Sequence, residues 1–344
     1  MRQMAKSETA RVWIRRWLVL IGLMVYAMIL IGGMTRLTDS GLSITEWQPI
    51  SGALPPMGEA AWAEEFRKYQ ATAEFQQQNY NMTLAEFEYI YWWEWSHRLF
   101  GRLIGLIAVG GLAVFAIKKW LDRPLTLRFL GLIALGGLQG FIGWWMVSSG
   151  IGETDRVDVA PYRLATHFIL ALIIIGYTAW LWLDLGRGDR LSVSTLARRL
   201  SIILLALVFV QMGSGALVAG LDAGRTYNDW PLMSGQFFPS SYMPAELGIR
   251  SLFEGRAATQ FNHRILAYII WIIALAAVAL TRGKTGWREF ASIAVLVTAQ
   301  AAWGIITLIN SAPLPLAIVH QALGVVLFVA TVRLAWLTAD RAGR

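Results

Sequence analysis

The stretch EWSHRLFGRLIGLIAVGGLAVFAIKK, residues 94–119, decides the fold. After His97 it is almost wholly apolar until the basic pair Lys118-Lys119, a gap of 21 residues from histidine to lysine. At about 1.5 Å of rise per residue, an α-helix of that length spans roughly 31 Å, one hydrocarbon thickness. The arrangement recurs three times. His167 opens a run to Arg187, His263 a run to Arg282 and His320 a run to Arg341, with gaps of 20, 19 and 21 residues. These four are the whole histidine content of the chain. The spacing predicts four helices with one imidazole each, at one depth near one membrane face. Ionisable groups inside a membrane are rare and mark functional sites.

Composition agrees. The chain has 344 residues, 56% of them hydrophobic and 15% charged, too apolar for a soluble domain. Eight apolar runs are long enough to span: 17–35, 89–117, 129–148, 164–185, 200–220, 257–281, 290–309 and 316–337. The first follows Arg11, Arg15 and Arg16 without a small-residue cleavage site, and reads as a membrane helix rather than a removed signal peptide. Thr83 and Glu86 form a capping box that starts the second helix before its apolar run. There is no cysteine, which excludes disulfides, iron–sulfur clusters and thiolate ligation. The net charge of +8 follows the loops: nineteen Lys and Arg lie on the side of the termini and eight on the other. Both termini are therefore expected in the cytoplasm of a bacterial inner-membrane protein, with all four histidines near the outer face.

The chain repeats itself. GMTRLTDSGLSITEWQP (Gly33–Pro49) loosely parallels GLDAGRTYNDWP (Gly220–Pro231), and His97-Arg98 parallels His263-Arg264. QGFIG (139–143) parallels QAAWG (300–304), and Pro161 before His167 parallels Pro315 before His320. The fold class expected is an all-α integral membrane protein of eight transmembrane helices in two pseudo-symmetric four-helix bundles, residues 1–186 and 187–344. Four spans per half keep one topology, so the repeat is parallel rather than inverted. The first outer loop, about 36–88, has an aromatic set in Trp62, Phe66, Tyr69 and Phe75 that reads as a short amphipathic helix on the membrane surface.

Paired imidazoles at one level fit haem ligation, each bundle holding a haem between two facing helices. Imidazole also suits zinc or copper, but no compact third ligand accompanies these histidines. Glu94, three residues before His97, shares its helix face; the matching position in the second half is Gln260. A carboxyl group found in one half only is a candidate for acid/base or electrostatic catalysis. The alternative is a Glu94 that is solvated or paired with an arginine. Arg98 and Arg264 are candidates for contact with haem propionates, or for snorkelling to the interface. Arg102 is expected to find a buried partner. Gln139 and Gln300 read as interhelical hydrogen-bonding groups. Gly136, Gly137, Gly140 and Gly143 read as points of close helix contact. No nucleic-acid-binding feature is present. On the residues alone, a di-haem b cytochrome that only moves electrons and a repeat-built transporter stay open beside an enzyme.

GGMTRLTDSGLSITEWQPISGALPP (Gly32–Pro56), with EWSHR (Glu94–Arg98), resembles the haem A synthase family in its alphaproteobacterial and mitochondrial branch. The resemblance covers essentially the whole chain. It implies oxidation of a ring methyl group of haem O to the formyl group of haem A, through hydroxylation and loss of water. It implies substrate haem between His97 and His167 with Glu94 as catalytic carboxylate, and a haem b between His263 and His320. It further implies delivery of haem O by its farnesyltransferase and passage of haem A to cytochrome oxidase assembly factors; the sequence does not name the electron donor. Membrane lipid is the expected surrounding of the helices, and because helix bundles of this kind often associate, a homo-oligomer stays open. Some bacterial relatives have a cysteine pair in the first outer loop; its absence here excludes thiol-based electron entry at that place.

Overall fold

The computed structural model describes residues 7–152, 154–186 and 188–340. Arg2, Lys6, Arg187, Arg341 and Arg344, which count toward the basic face in sequence, lie outside the described residues. The chain opens with α1 (Glu8–Leu37), followed in the first outer loop by α2 (Glu59–Gln70) and α3 (Ala73–Gln77). Then come α4 (Leu84–Ile117), α5 (Arg123–Val147), α6 (Pro161–Asp184) and α7 (Thr195–Gly220). The short α8 (Ser251–Glu254) precedes α9 (Arg256–Thr281), α10 (Trp287–Ile309) and α11 (Leu314–Thr338). Eight of these are long and apolar enough to cross a membrane: α1, α4, α5, α6, α7, α9, α10 and α11. They are the eight runs read in the sequence.

Local chemistry sets where the helices begin. Ser7, Asp122 and Ser194 each accept the backbone N–H of the residue three further on. Such a cap is worth about 1 kcal/mol. At α4 the Thr83/Glu86 capping box forms in full, so the helix starts five residues ahead of its apolar run. Spanning helices keep large side chains outward because lipid, not water, is their solvent. On α4, Leu106 is 69% exposed and Ile117 is 81% exposed.

The chain divides into two compact units. One comprises Leu23–Ala171 with Met1–Ala10; the other comprises Leu172–Arg344 with Arg11–Gly22. In the second unit α7 packs on α9 and α11, and α10 packs on the same two, which closes a four-helix ring. Gly213, Ala216, Ala274 and Ala277 are buried where α7 and α9 run, small residues that let backbones approach. In the first unit the extended backbone contact between spans is that of α4 with α5.

The outer turns of α4 support the first loop. Tyr69 stacks on Phe87 at 5.2 Å, Phe66 lies 5.1 Å from Phe87, and Trp62 meets Tyr91 edge-on at 5.0 Å. The amphipathic helix expected on the membrane surface is thus α2, but its aromatic face is covered by protein: Tyr69 and Phe87 are fully buried. An aromatic face buries as well against neighbouring rings as against lipid, so composition does not distinguish the two. The glycines of α5 also depart from expectation. A Cβ at Gly136, Gly137 or Gly140 would meet nothing within 4 Å, whereas one at Gly143 would press on His167.

Candidate functional site

Each unit brings its own two histidines together. His97 on α4 and His167 on α6 are close enough to act on each other electrostatically, and so are His263 on α9 and His320 on α11. Among the described residues no group of three or more His, Asp or Glu could hold a bare metal ion.

Three of the four rings sit in the same seat. The Gln139 amide nitrogen on α5 donates to the His167 carbonyl at 3.0 Å and lies 3.2 and 3.1 Å from Nδ1 and Nε2 of its ring. The Gln211 amide on α7 does the same for His263, at 3.1 Å from the carbonyl oxygen and 3.2 and 3.1 Å from the ring nitrogens. The Gln300 amide on α10 reaches the His320 carbonyl at 3.0 Å and Nδ1 at 3.2 Å. One helical turn after each glutamine comes a glycine, so the pair shares a helix face. A Cβ at Gly143, Gly215 or Gly304 would stand 3.0, 3.2 or 2.7 Å from Cε1 of the facing imidazole. The ring occupies the space a side chain would take. Sequence reading found Gln139 and Gln300 but missed Gln211 and Gly215. The signal was present in QMGSG (211–215), which has the same glutamine-to-glycine spacing as QGFIG and QAAWG.

These seats fit a haem-ligating imidazole on one count beyond proximity. The side-chain carbonyl oxygens of Gln139, Gln211 and Gln300 are all buried without a hydrogen-bond partner. A buried orphan acceptor costs about 1–3 kcal/mol. An imidazole bound to iron through one nitrogen carries a proton on the other and needs an acceptor for it. Each orphan oxygen belongs to the amide whose nitrogen contacts such a ring.

Glu94 is 2% exposed and has four donors around it. Its Oε2 accepts from Ser43 Oγ and from Ile44 N, both at 2.8 Å; its Oε1 accepts from Arg98 Nε at 3.0 Å and Nη2 at 2.6 Å. Arg98 also donates to the carbonyls of Glu46 at 3.0 Å and Ile44 at 2.9 Å. Arg102 donates to the carbonyls of Pro49 at 2.9 Å and Gln48 at 2.8 Å. The motif loop after α1 is thereby tied to α4 at Glu94, Arg98 and Arg102.

The second half builds the same clip with opposite polarity. Gln260 donates to the carbonyls of Ala223 at 2.8 Å and Tyr227 at 3.1 Å, and accepts from Arg264 at 3.1 Å. Arg264 donates to the carbonyls of Asp229, Leu232 and Tyr227 at 3.0, 2.9 and 2.9 Å. The first loop offers an O–H and an N–H; the second offers carbonyls. A carboxylate answers donors and an amide answers acceptors, so loop polarity alone accounts for Glu94 standing opposite Gln260. Arg98 divides its N–H groups between Glu94 and the first loop, and Arg264 directs most of its own to the second.

A second buried carboxyl group lies in the outer loop. Glu74, 2% exposed, faces Tyr69, which also accepts from Asn79 at 2.8 Å. Burial pushes the Glu74 pKa up to about 8, with a lowering hydrogen bond from Tyr69 and added repulsion from Asp39, Glu94 and Asp158. The folded value lies above the ordinary 4.5, so between about 4.5 and about 8 the folded chain holds a proton that the unfolded chain has released. The stabilisation is complete below that window and is lost as pH rises through it. Glu74→Gln is expected to flatten the pH dependence of this loop's stability. Hydrogen exchange over residues 59–91 at pH 5 and pH 8.5 measures it, and an unchanged pH slope in the variant would refute the assignment.

Comparison with known proteins returns one consistent result. Residues 15–332 match the COX15-CtaA family, described as cytochrome oxidase assembly protein. The chain is 63% identical over 332 residues to the haem A synthase of Hyphomonas neptunium, covering 96% of this chain and 95% of that one. It is 46% identical over 339 residues to that of Maricaulis maris, covering 98% of each. It is 45% identical over 345 residues to that of Paracoccus denitrificans, covering 96% of this chain and 88% of the relative.

Proposed function

Because the chain belongs to the COX15-CtaA family of cytochrome oxidase assembly proteins, we propose that it converts haem O to haem A by oxidising a ring methyl group to a formyl group. It does so as a multi-pass membrane oxidoreductase serving cytochrome oxidase. Substrate haem O binds in the first unit between His97 and His167, with its farnesyl tail among apolar side chains open to lipid. A resident haem b binds in the second unit between His263 and His320; when bound it supplies one-electron transfer. The single observation that carries this reading is the imidazole seat: glutamine before, glycine after, and an orphan acceptor on the amide that contacts the ring.

The chain's own residues divide the work. Gln211 and Gln300 orient the two imidazoles of the second unit, and Gln139 orients His167. Glu94 stands one turn outward of His97 with its four acceptor positions used. That favours a fixed negative group over a proton carrier, since a proton enters only where Ser43, Ile44 or Arg98 withdraws. Arg98 and Arg264 contribute by holding the outer loops over their histidines, which keeps bulk water from the site. The basic-loop asymmetry supports termini in the cytoplasm and a site at the outer side of a bacterial inner membrane. Haem O arrives from its farnesyltransferase, and haem A leaves toward oxidase assembly factors.

Pigment extraction from His97→Ala and His263→Ala tests the division. His263→Ala is expected to lose haem b, while His97→Ala keeps haem b and yields no haem A. Retention of both pigments with unaltered spectra in both variants would refute ligation by these residues.

A further inference from the structure

His97 is the one ring without the seat described above. Gly32 on α1 also lies against its ring, but at a different edge: a Cβ there would lie 3.2 Å from Nε2 and 3.6 Å from Cδ2 of His97, where the other glycines meet Cε1. One turn before Gly32, where α5, α7 and α10 place glutamine, α1 has Met28. Immediately before the glycine, where α7 has Ser214 with Oγ 2.8 Å from Nδ1 of His263, α1 has Ile31. Met28 points elsewhere. Its terminal methyl would be 3.0 Å from a Cβ at Gly101, one turn inward of His97 on α4. No hydrogen bond to the His97 ring forms among the described residues. The four imidazoles are therefore graded: His263 has two side-chain partners, His167 and His320 have one each, and His97 has none.

We propose that Met28 is a positioning residue that acts by leaving His97 ungripped, so that His97 is the exchangeable imidazole of the four. At the other three rings the glutamine amide nitrogen contacts both the imidazole and the histidine carbonyl, which fixes the ring's orientation. A methionine has no N–H to make these contacts, and its thioether is only a weak acceptor. The consequence is a difference in ligand exchange. An imidazole held at its ring and at its carbonyl re-binds after each dissociation, whereas an ungripped one swings away and leaves a coordination position to an incoming small molecule. Exchange belongs on the substrate side, because the substrate must enter and the product must leave, while the resident group stays. The inference rests on the ligation reading above.

The test uses holoprotein in detergent, reduced with dithionite and exposed to carbon monoxide, read by the optical spectrum. The wild type is expected to bind carbon monoxide at the first-unit haem and not at the second. Met28→Gln is expected to slow or reduce that binding at least tenfold, and Met28→Leu, which keeps the shape without an amide, to leave it unchanged. Ile31→Ser, which restores the counterpart of Ser214, is a second gripping variant should Met28→Gln fail to fold, and a decrease is expected there too. The double variant Gln211→Met, Ser214→Ile is expected to open the second-unit haem to carbon monoxide. Unchanged binding in Met28→Gln and Ile31→Ser, with no gain in the double variant, overturns the proposal. Failure of the ligation reading looks different: His97→Ala and His263→Ala would then leave haem content and spectra unaltered.

Discussion

Glu94→Gln is expected to abolish measurable conversion of haem O to haem A, a loss of at least about a hundredfold, or roughly 2.7 kcal/mol of barrier. The variant puts an N–H2 group where Ser43, Ile44 and Arg98 all present donors. It also leaves the Arg98 guanidinium, 13% exposed, without its counter-charge. Removing one partner of a buried pair typically costs about 3–5 kcal/mol. Two readouts separate the roles. Extracted haem measured by chromatography reports chemistry, and hydrogen exchange over residues 40–48 reports the loop. Lost conversion with an intact loop makes Glu94 a catalytic group; lost conversion with a loosened loop makes it the anchor of the cover; normal conversion with a tight loop removes both roles. The reciprocal Gln260→Glu sets a carboxylate against the carbonyls of Ala223 and Tyr227. It is expected to loosen residues 221–232 while leaving Glu94's own clip intact.

Filling one seat is expected to empty one half. A Cβ at Gly304 would stand 2.7 Å from Cε1 of His320, closer than real side chains tolerate, and Gln300 on the same face of α10 contacts that ring as well. Gly304→Val therefore displaces the imidazole rather than the helix. Haem b retained after purification should fall at least about tenfold, some 1.4 kcal/mol of affinity. Gly136→Val is the matched control: its Cβ meets nothing within 4 Å, and haem content should stay at the wild-type level. Equal haem content in Gly304→Val and wild type would mean that His320 holds no haem from this seat.

Much of this was readable from residues. The eight spans follow from apolar length, and the start of α4 from Thr83 and Glu86. Repeated motifs pointed to Gln139 and Gln300 as polar groups of note, while Gln211 escaped because its glycine-rich neighbourhood, QMGSG, hid the spacing. The role of Met28 was not readable, since a methionine among apolar residues differs from its neighbours only once the three other seats are seen. The covered aromatic face of α2 and the open glycines of α5 were misread for one reason: side-chain type says what a face can bury, not which surface meets it.

Glu94 opposite Gln260 shows the boundary between the two levels most clearly. By itself the sequence determined that eight apolar runs are long enough to span, that four of them carry one histidine each, and that a carboxyl group and an amide stand three residues before His97 and His263. Those facts depend on periodicity and on the insolubility of apolar helices in water, which are properties of the chain alone. Only the tertiary structure decided what the carboxyl group and the amide answer to. The loop after α1 turns an O–H and an N–H toward α4, and the loop after α7 turns carbonyls toward α9. Which end of a peptide group faces a neighbouring helix is set by backbone path, and a buried polar side chain must match it because no water is there to do so.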